Sequence, residues 1–351
     1  MKPADPQSLE HYFHLMSAEG AVEAYRTAVQ LGILDALTTE PHSTAALADA
    51  LALKPRPLTL LLELLRTLGL VTPAAEHAST AQVQPDTPLS LTPLGHAMLQ
   101  GPYRDLGRPY WQHLPTLLQT GEPCAAMDQA PHNEAAYAQQ AHALAWMLGP
   151  AAQTAAVHLE QAIHEQALPP DTDCRVLDAG AGAAPWSLAL ADRNPHPKLH
   201  LTALDQPAVL PAAQAAANAR DLGDRFTAQP GDLRSLELTT PHYHLILLAN
   251  VTHLLAPDAC ADLFRRLAPG LAPGGSLAII DVFPADDATG PAASRAVLYE
   301  MGLALRTHQG QLHTLDTLTP ALNNAGLTTP TLHPILQPPH TMSVLLSQRP
   351  A

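Results

Sequence analysis

The sequence of 351 residues predicts an α/β chain built in two parts. A mainly helical N-terminal domain of the winged-helix kind precedes a C-terminal doubly wound, mostly parallel sheet. Three observations carry this expectation. Apolar residues recur at helical spacing in the first part and end on two short extended pieces. Beyond residue 170, short apolar runs alternate with Ala/Leu-rich stretches long enough for helices. The first of those runs ends in Asp178 and a turn holding Gly180 and Gly182. The expected domains are 1–100, a connecting helical region 101–170, and 171–351.

The first helix is expected over residues 18–37, where Ala21, Ala24, Ala28, Leu31, Leu34 and Leu37 share one face. Ser43 and Thr44 cap a second helix reaching Leu51. Pro57 opens a third, ending before Gly69. Extended pieces at Leu70–Thr72 and Leu89–Thr92, split by a polar loop, complete a winged-helix pattern. Nucleic acid is not the expected partner, because the third helix offers only Arg56 and Arg66 beside Glu63. Its leucines lie nearly all round, so burial on more than one side is expected, as in a homodimer interface.

Residues 101–168 read as connecting helices. They hold Tyr103, Tyr110, Trp111, Tyr137, Trp146 and Met147 in a chain only 4% aromatic. These side chains either line a pocket for an aromatic ligand or fill the packing between helices. Pro169-Pro170 marks the hinge into the sheet domain, whose strands are expected at 176–177, 199–204, 245–249, 277–282 and 342–346. Leu263–Leu271 precedes a Pro273–Gly275 turn that leads into Ser276–Ile280, and Thr341–Ser347 reads as a strand added at the end of the sheet.

The 18 basic and 32 acidic side chains give a formal net charge of -14, which argues against a phosphate-binding surface. Cys124, Cys174 and Cys260 are too scattered for a disulfide framework or zinc ribbon, and no membrane span or signal core is evident. A cytoplasmic protein is the expectation. His242/His244 and His11/His14 have metal-like spacing without further ligands, so solvated or core histidines are preferred. Asp286-Asp287 reads as a loop charge patch, and one of Arg295, Met301 and Arg306 as a ligand contact or a packing residue.

Sheets of this type bind ligands beyond the carboxyl ends of their strands, where Asp178, Gly180 and Gly182 fall. Glycine there lets the backbone approach a ligand closely. Asp205 ends the next apolar run, where a carboxylate can accept both ribose hydroxyl protons or cap the following helix. Asp232, in Gln229-Pro-Gly-Asp-Leu233, can take an adenine amino group while Leu233 packs on the ring; a simple turn aspartate is the alternative. A nicotinamide enzyme would not need this third site, and would carry a glycine where Pro185 stands. The set points to an adenosyl cofactor and methyl transfer.

The ordered pieces Val176–Gly182, Leu204–Val209, Gly231–Leu233, Asn250–His253, Leu271–Ser276 and Leu91–Gly95 carry a resemblance over roughly 18–346. The chain resembles the S-adenosylmethionine-dependent O-methyltransferases of the plant caffeic-acid and bacterial polyketide-tailoring type. That resemblance implies a winged-helix dimerisation domain, a class I methyltransferase-like sheet domain and a homodimer. It also implies methylation of a hydroxyl on a small aromatic or polycyclic natural product. The cofactor residues expected are Asp178, Gly180, Gly182, Asp205, Gln206, Asp232, Leu233 and Asn250, with His253 facing the acceptor as catalytic base. A neutral imidazole can take the proton that turns a phenol into a better nucleophile.

Two positions depart from that family's plant members. They carry Asp directly after the histidine and a later Glu that orients it; here these positions are Leu254 and Leu312. Asp258 and Asp281 are the available substitutes. C- or N-methylation on the same scaffold therefore stays open, as does a retired dimeric cofactor-binding or regulatory protein.

Overall fold

The computed structural model describes residues 5–74, 83–99, 104–129, 133–284, 291–335 and 342–351. Tyr103, the pair Asp286-Asp287 and most of the polar loop between the first two extended pieces lie outside them. The chain divides into two compact units, Met1–Gly107 and Arg108–Ala351.

The first unit holds α1 (Pro6–Gln30), α2 (Ile33–Ala36), α3 (Thr44–Ala50), α4 (Pro55–Thr67), β1 (Val71–Pro73), β2 (Leu89–Leu91) and α5 (Pro93–Leu99). The helix expected over 18–37 is thus longer and broken. Asp5 caps α1 by accepting from the Ser8 amide, and Gly32, at φ +72°, turns the chain into α2. Ser43 caps α3 through the Ala46 amide. Strands β1 and β2 pair antiparallel. Helix α4 divides its leucines between two faces. Leu58, Leu62 and Leu65 are buried, whereas Leu60, Leu64 and Leu68 stay exposed within the unit at 66%, 37% and 38%. The same residues at i, i+4 and i+8 form one apolar row on the outer face.

The second unit comprises α6 (Arg108–Gln112), α7 (Leu114–Thr120), α8 (Asn133–His164), β3 (Cys174–Ala179), α9 (Pro185–Arg193), β4 (Leu199–Asp205) and α10 (Leu210–Asn218). It continues through β5 (Phe226–Pro230), β6 (Tyr243–Ala249), α11 (Pro257–Leu267), β7 (Leu271–Val282), α12 (Pro291–Ala304), α13 (Leu315–Asn324), β8 (Thr331–Pro334) and β9 (Met342–Gln348). The seven-stranded sheet runs β5-β4-β3-β6-β7-β9-β8. Its first five strands are parallel, and β9 is antiparallel to both its neighbours. The last apolar segment is therefore inside the sheet, with β8 as the edge. The Pro273–Gly275 turn is absorbed within β7, where the pairing passes from Tyr243–Leu271 to Leu245–Ser276.

Alternation along the strands supplies a core on each face. Val176, Leu245, Leu247 and Ile280 pack with Leu159, Trp186 and Leu190 on one side. Leu177, Ile246, Leu248 and Ile279 pack with Leu263, Phe264 and Leu322 on the other. Strand β3 pairs with β4 on one side and β6 on the other, so the order reverses there. A ligand crevice opens at such a reversal.

Candidate active site

A cavity of about 400 Å³ lies at the carboxyl ends of β3, β4 and β6. Gly180, Gly182, Asp205, Gln206, Asp232, Leu233 and Asn250 all line it. The close turn after β3 explains its glycines. Gly180 has φ +80°, and a Cβ there would stand 2.8 Å from Val251 Cγ2 and 3.0 Å from Leu233 Cδ1. The Gly180 and Ala181 amides donate to the Leu204 carbonyl at 2.8 and 3.1 Å, tying the turn to the end of β4.

Asp205 completes that tie. Its Oδ2 accepts from the Gly182 amide and its Oδ1 from the Gln206 amide, each at 2.7 Å. Burial raises its pKa, opposed by those two bonds and assisted by the Glu134 charge. Asp232 is held differently. Arg234 grips its carboxylate with three charge-assisted contacts of 2.6–3.0 Å, and chiefly that pairing lowers its pKa. Arg234 also lines the cavity.

Asp178 stands behind the turn rather than in the cavity lining. Its Oδ2 accepts from Ser187 Oγ at 2.5 Å, which links β3 to the start of α9. Burial pushes its carboxyl up to about 6, against the Ser187 bonds. Among the described residues, three buried side-chain oxygens in the cavity lining have no hydrogen-bond partner: Asp128 Oδ1, Gln206 Oε1 and Asn250 Oδ1. Asn250 is set at φ +56°, with its amide bound to the Ile280 carbonyl at 2.8 Å. Such acceptors need donors from a ligand. Together with the Asp205 carboxylate in the same lining, they fit an adenosyl cofactor bearing hydroxyl and ammonium donors.

His253 sits on the short turn Thr252–Leu254 just after β6 and is 7% exposed. It does not line the cavity, although Val251, Leu254 and Leu255 around it do. Its Nδ1 is 2.7 Å from Asp281 Oδ1 at the end of β7. Asp281 also accepts from Thr252 Oγ1 at 2.6 Å, from the His253 amide at 3.1 Å and from the Val282 amide at 2.9 Å. Burial would raise the Asp281 carboxyl, but His253 and these hydrogen bonds outweigh it and hold the pKa low. Of the two candidate acids, Asp281 makes the contact and Asp258 is exposed on α11. An Asp281-bound Nδ1–H leaves Nε2 as the proton acceptor, the tautomer being inferred from the bond. The Tyr299 ring, on α12, lies nearly perpendicular to the imidazole, with the two ring centroids 5.9 Å apart. The Gln311 amide donates to the His253 carbonyl at 2.9 Å. His313 Nε2 lies 3.0 Å from both the Thr252 and Leu255 carbonyls, and Leu312 packs against the core.

The outer wall of the cavity holds Tyr137, one of the aromatics that the sequence offers as pocket residues, with Met127, Asp128 and Asn133, which no sequence pattern singles out. Tyr137 donates to the Met127 carbonyl at 2.9 Å. Of the other central candidates, Trp111, Trp146 and Met147 are exposed at 38%, 49% and 47% within this unit. Among the described residues no group of three or more metal-ligating side chains occurs. His244 instead accepts from the Arg175 amide, and His242 faces the Arg175 guanidinium.

Residues 13–101 match the O-methyltransferase dimerisation domain family and residues 176–275 a methyltransferase domain family. The L-tyrosine C(3)-methyltransferase of Streptomyces lavendulae is 30% identical over 154 residues, 43% of this chain and 40% of that enzyme. The mitomycin biosynthesis 6-O-methyltransferase of the same organism is 28% identical over 271 residues, 74% of this chain and 73% of its own. The structure of human N-acetylserotonin methyltransferase in complex with S-adenosylmethionine superimposes with a TM-score of 0.69 at 19% identity, covering 100% of both chains. It shares the fold. With a dimerisation domain followed in order by a methyltransferase domain, the chain belongs to the S-adenosylmethionine-dependent O-methyltransferase family.

Proposed function

We propose that the protein transfers the methyl group of S-adenosylmethionine to a hydroxyl of a small aromatic or polycyclic natural product. The observation that carries this reading is the buried His253–Asp281 pair beside a cavity lined by Gly180, Asp205, Asp232 and Asn250. When bound, the cofactor supplies an electrophilic methyl carbon on a sulfonium. Asp205 would hold the ribose hydroxyls, Leu233 would pack on the adenine, and Gln206 and Asn250 would accept from the remaining donors.

His253 Nε2 would take the hydroxyl proton of the acceptor as its oxygen accepts the methyl group that the bound cofactor would supply, the cofactor leaving as the neutral thioether. Asp281 fixes the tautomer and stabilises the imidazolium that results. General-base catalysis of this kind contributes about 10²- to 10⁴-fold. Alignment of oxygen, methyl and sulfur supplies much of the rest. A carbon acceptor is the second reading, favoured by the tyrosine C(3)-methyltransferase among the relatives.

The exposed row Leu60, Leu64 and Leu68, together with the dimerisation-domain match, supports a homodimer through the N-terminal unit. Light scattering of the full chain should give twice the chain mass, and a monomer at micromolar concentration would remove this claim. No helix among the described residues is long and apolar enough to cross a membrane. Methyl-labelled S-adenosylmethionine offered with phenols, hydroxyquinones and aromatic amines tests the reaction. Label on oxygen is the expected result, and label on carbon selects the second reading. Failure to bind either S-adenosylmethionine or its demethylated product in calorimetry would overturn both.

A further inference from the structure

Arg306, just beyond α12, is half-buried and pairs with no carboxylate among the described residues. Other half-buried arginines are matched. Arg26 has Glu23, Arg66 has Glu63 and Arg266 has Asp262. Arg349 donates to the Pro269 and Leu271 carbonyls. Among the described residues, Arg306 spends only Nε, on the Gly302 carbonyl at 2.8 Å. Its guanidinium lies over the Tyr110 ring, with Cζ 5.9 Å from the centroid. A partly desolvated cation without a counter-charge is costly unless a ligand supplies one. Ring contact on the face leaves the in-plane Nη1 and Nη2 donors free, the geometry a carboxylate accepts in two parallel bonds.

Its position connects it to the acceptor side of the site. The Met127 amide donates to the Arg306 carbonyl at 2.9 Å, and Met127 lines the cavity. Burial raises the pKa of the neighbouring Tyr137 hydroxyl, and the Arg306 charge is the chief influence opposing it. Helix α12, which leads into Arg306, carries Tyr299 against the His253 ring. Arg306 itself stays outside the cavity lining, as His253 does.

We propose that Arg306, oriented by Tyr110, is a specificity-determining residue that binds a carboxylate on the aromatic acceptor. The acceptor class is then a hydroxyaryl acid or an aromatic amino acid. This rests on the methyltransferase reading. The methionine end of the cofactor also carries a carboxylate, so the test must separate the two sources.

Full-length protein loaded with S-adenosylhomocysteine is titrated in a calorimeter with L-tyrosine, 4-hydroxycinnamate and 3,4-dihydroxybenzoate, and with the methyl ester of each. At least one acid should bind about 10- to 100-fold tighter than its ester. Arg306→Met should close that gap, and Arg306→Lys should restore part of it. S-adenosylhomocysteine itself should bind Arg306→Met within about threefold of the parent. Acids that bind no better than esters, or not at all, overturn the proposal. So does a variant that loses S-adenosylhomocysteine instead, which would assign Arg306 to the cofactor. Labelled-methyl transfer, run alongside, keeps the outcomes apart. Charge-selective binding without transfer defeats the reaction, whereas transfer without charge selectivity defeats only the role of Arg306.

Discussion

Replacing Asp281 with Asn probes the acid–base pair most directly. The Asp281 carboxylate accepts four hydrogen bonds, two on each oxygen. An amide has one oxygen, so its nitrogen must face one of the two pairs of donors. If the nitrogen turns toward Thr252, the hydroxyl can rotate to accept, but the His253 amide meets a second donor. If it turns the other way, the Val282 amide is orphaned and the imidazole is forced into the wrong tautomer. Either arrangement leaves a buried N–H unsatisfied, at about 1–3 kcal/mol of stability. The lost negative charge removes a further 1.5–3 kcal/mol or so from the imidazolium formed during proton transfer. At 1.36 kcal/mol per decade, turnover should fall about 10- to 150-fold.

The assay is turnover of labelled cofactor between pH 6 and about 9, with cofactor affinity followed separately by calorimetry. His253→Ala should fall at least as far, and its defect should shrink at high pH, where the acceptor ionises unaided. A large loss in His253→Ala alongside an Asp281→Asn variant within threefold of the parent would refute the argument. The wild-type pair also has a pH signature. Because the folded-state pKa of Asp281 is depressed, its stabilisation is present above the ordinary carboxylate value of 3.8 and is lost as pH falls through the lower folded value.

Asp178 has the opposite sign. Its carboxyl is raised from 3.8 to about 6, so its contribution is fully present below 3.8 and lost as pH rises through 6. About two units at 1.36 kcal/mol each put the effect near 3 kcal/mol, and Asp178→Asn, which keeps an acceptor for Ser187, should flatten the fall in Tm between pH 4 and about 8. An unchanged pH profile would exclude Asp178 as its source. Gly180→Ala adds a Cβ 2.8 Å from Val251 Cγ2 at φ +80° and should cost about 1–3 kcal/mol in urea unfolding while weakening S-adenosylhomocysteine. A variant unaffected in both would mean that the turn yields more readily than its contacts imply.

The legible parts of the sheet domain were those where burial imposes a continuous apolar run. Strands β3, β4, β6, β7 and β9 are such runs. Strands β5 and β8 are edges with one open side, and Phe226-Thr-Ala-Gln-Pro and Thr331-Leu-His-Pro have no run to detect. The same asymmetry governs the site. Gly180, Asp205 and Asn250 follow strands and could be read from order along the chain. The pairing of His253 with Asp281 depends on β6 and β7 being neighbours, and sequence left Asp258 equally eligible. In the outer wall, Tyr137 stood out as an aromatic in a chain with few, whereas Met127, Asp128 and Asn133 reach the cavity through the tertiary fold, which no local spacing encodes. In α4, composition marked leucines on more than one side, but which row packs inside the unit and which stays exposed within it, Leu60, Leu64 and Leu68, depends on the neighbouring elements.

The position of β9 bears on how this chain acquires its sheet. All five parallel strands, and the residues lining the cavity, precede Met342 in the chain. Until β9 arrives, the outer edge of β7 presents a row of unpaired peptide groups over an apolar stretch, Ser276–Val282. An exposed edge of that kind recruits strands from other chains. The interval between synthesis of β7 and insertion of β9 is therefore the stage at which this protein is most prone to aggregate, and a fusion or truncation that hinders the Met342–Gln348 segment should reduce soluble yield before it changes catalysis.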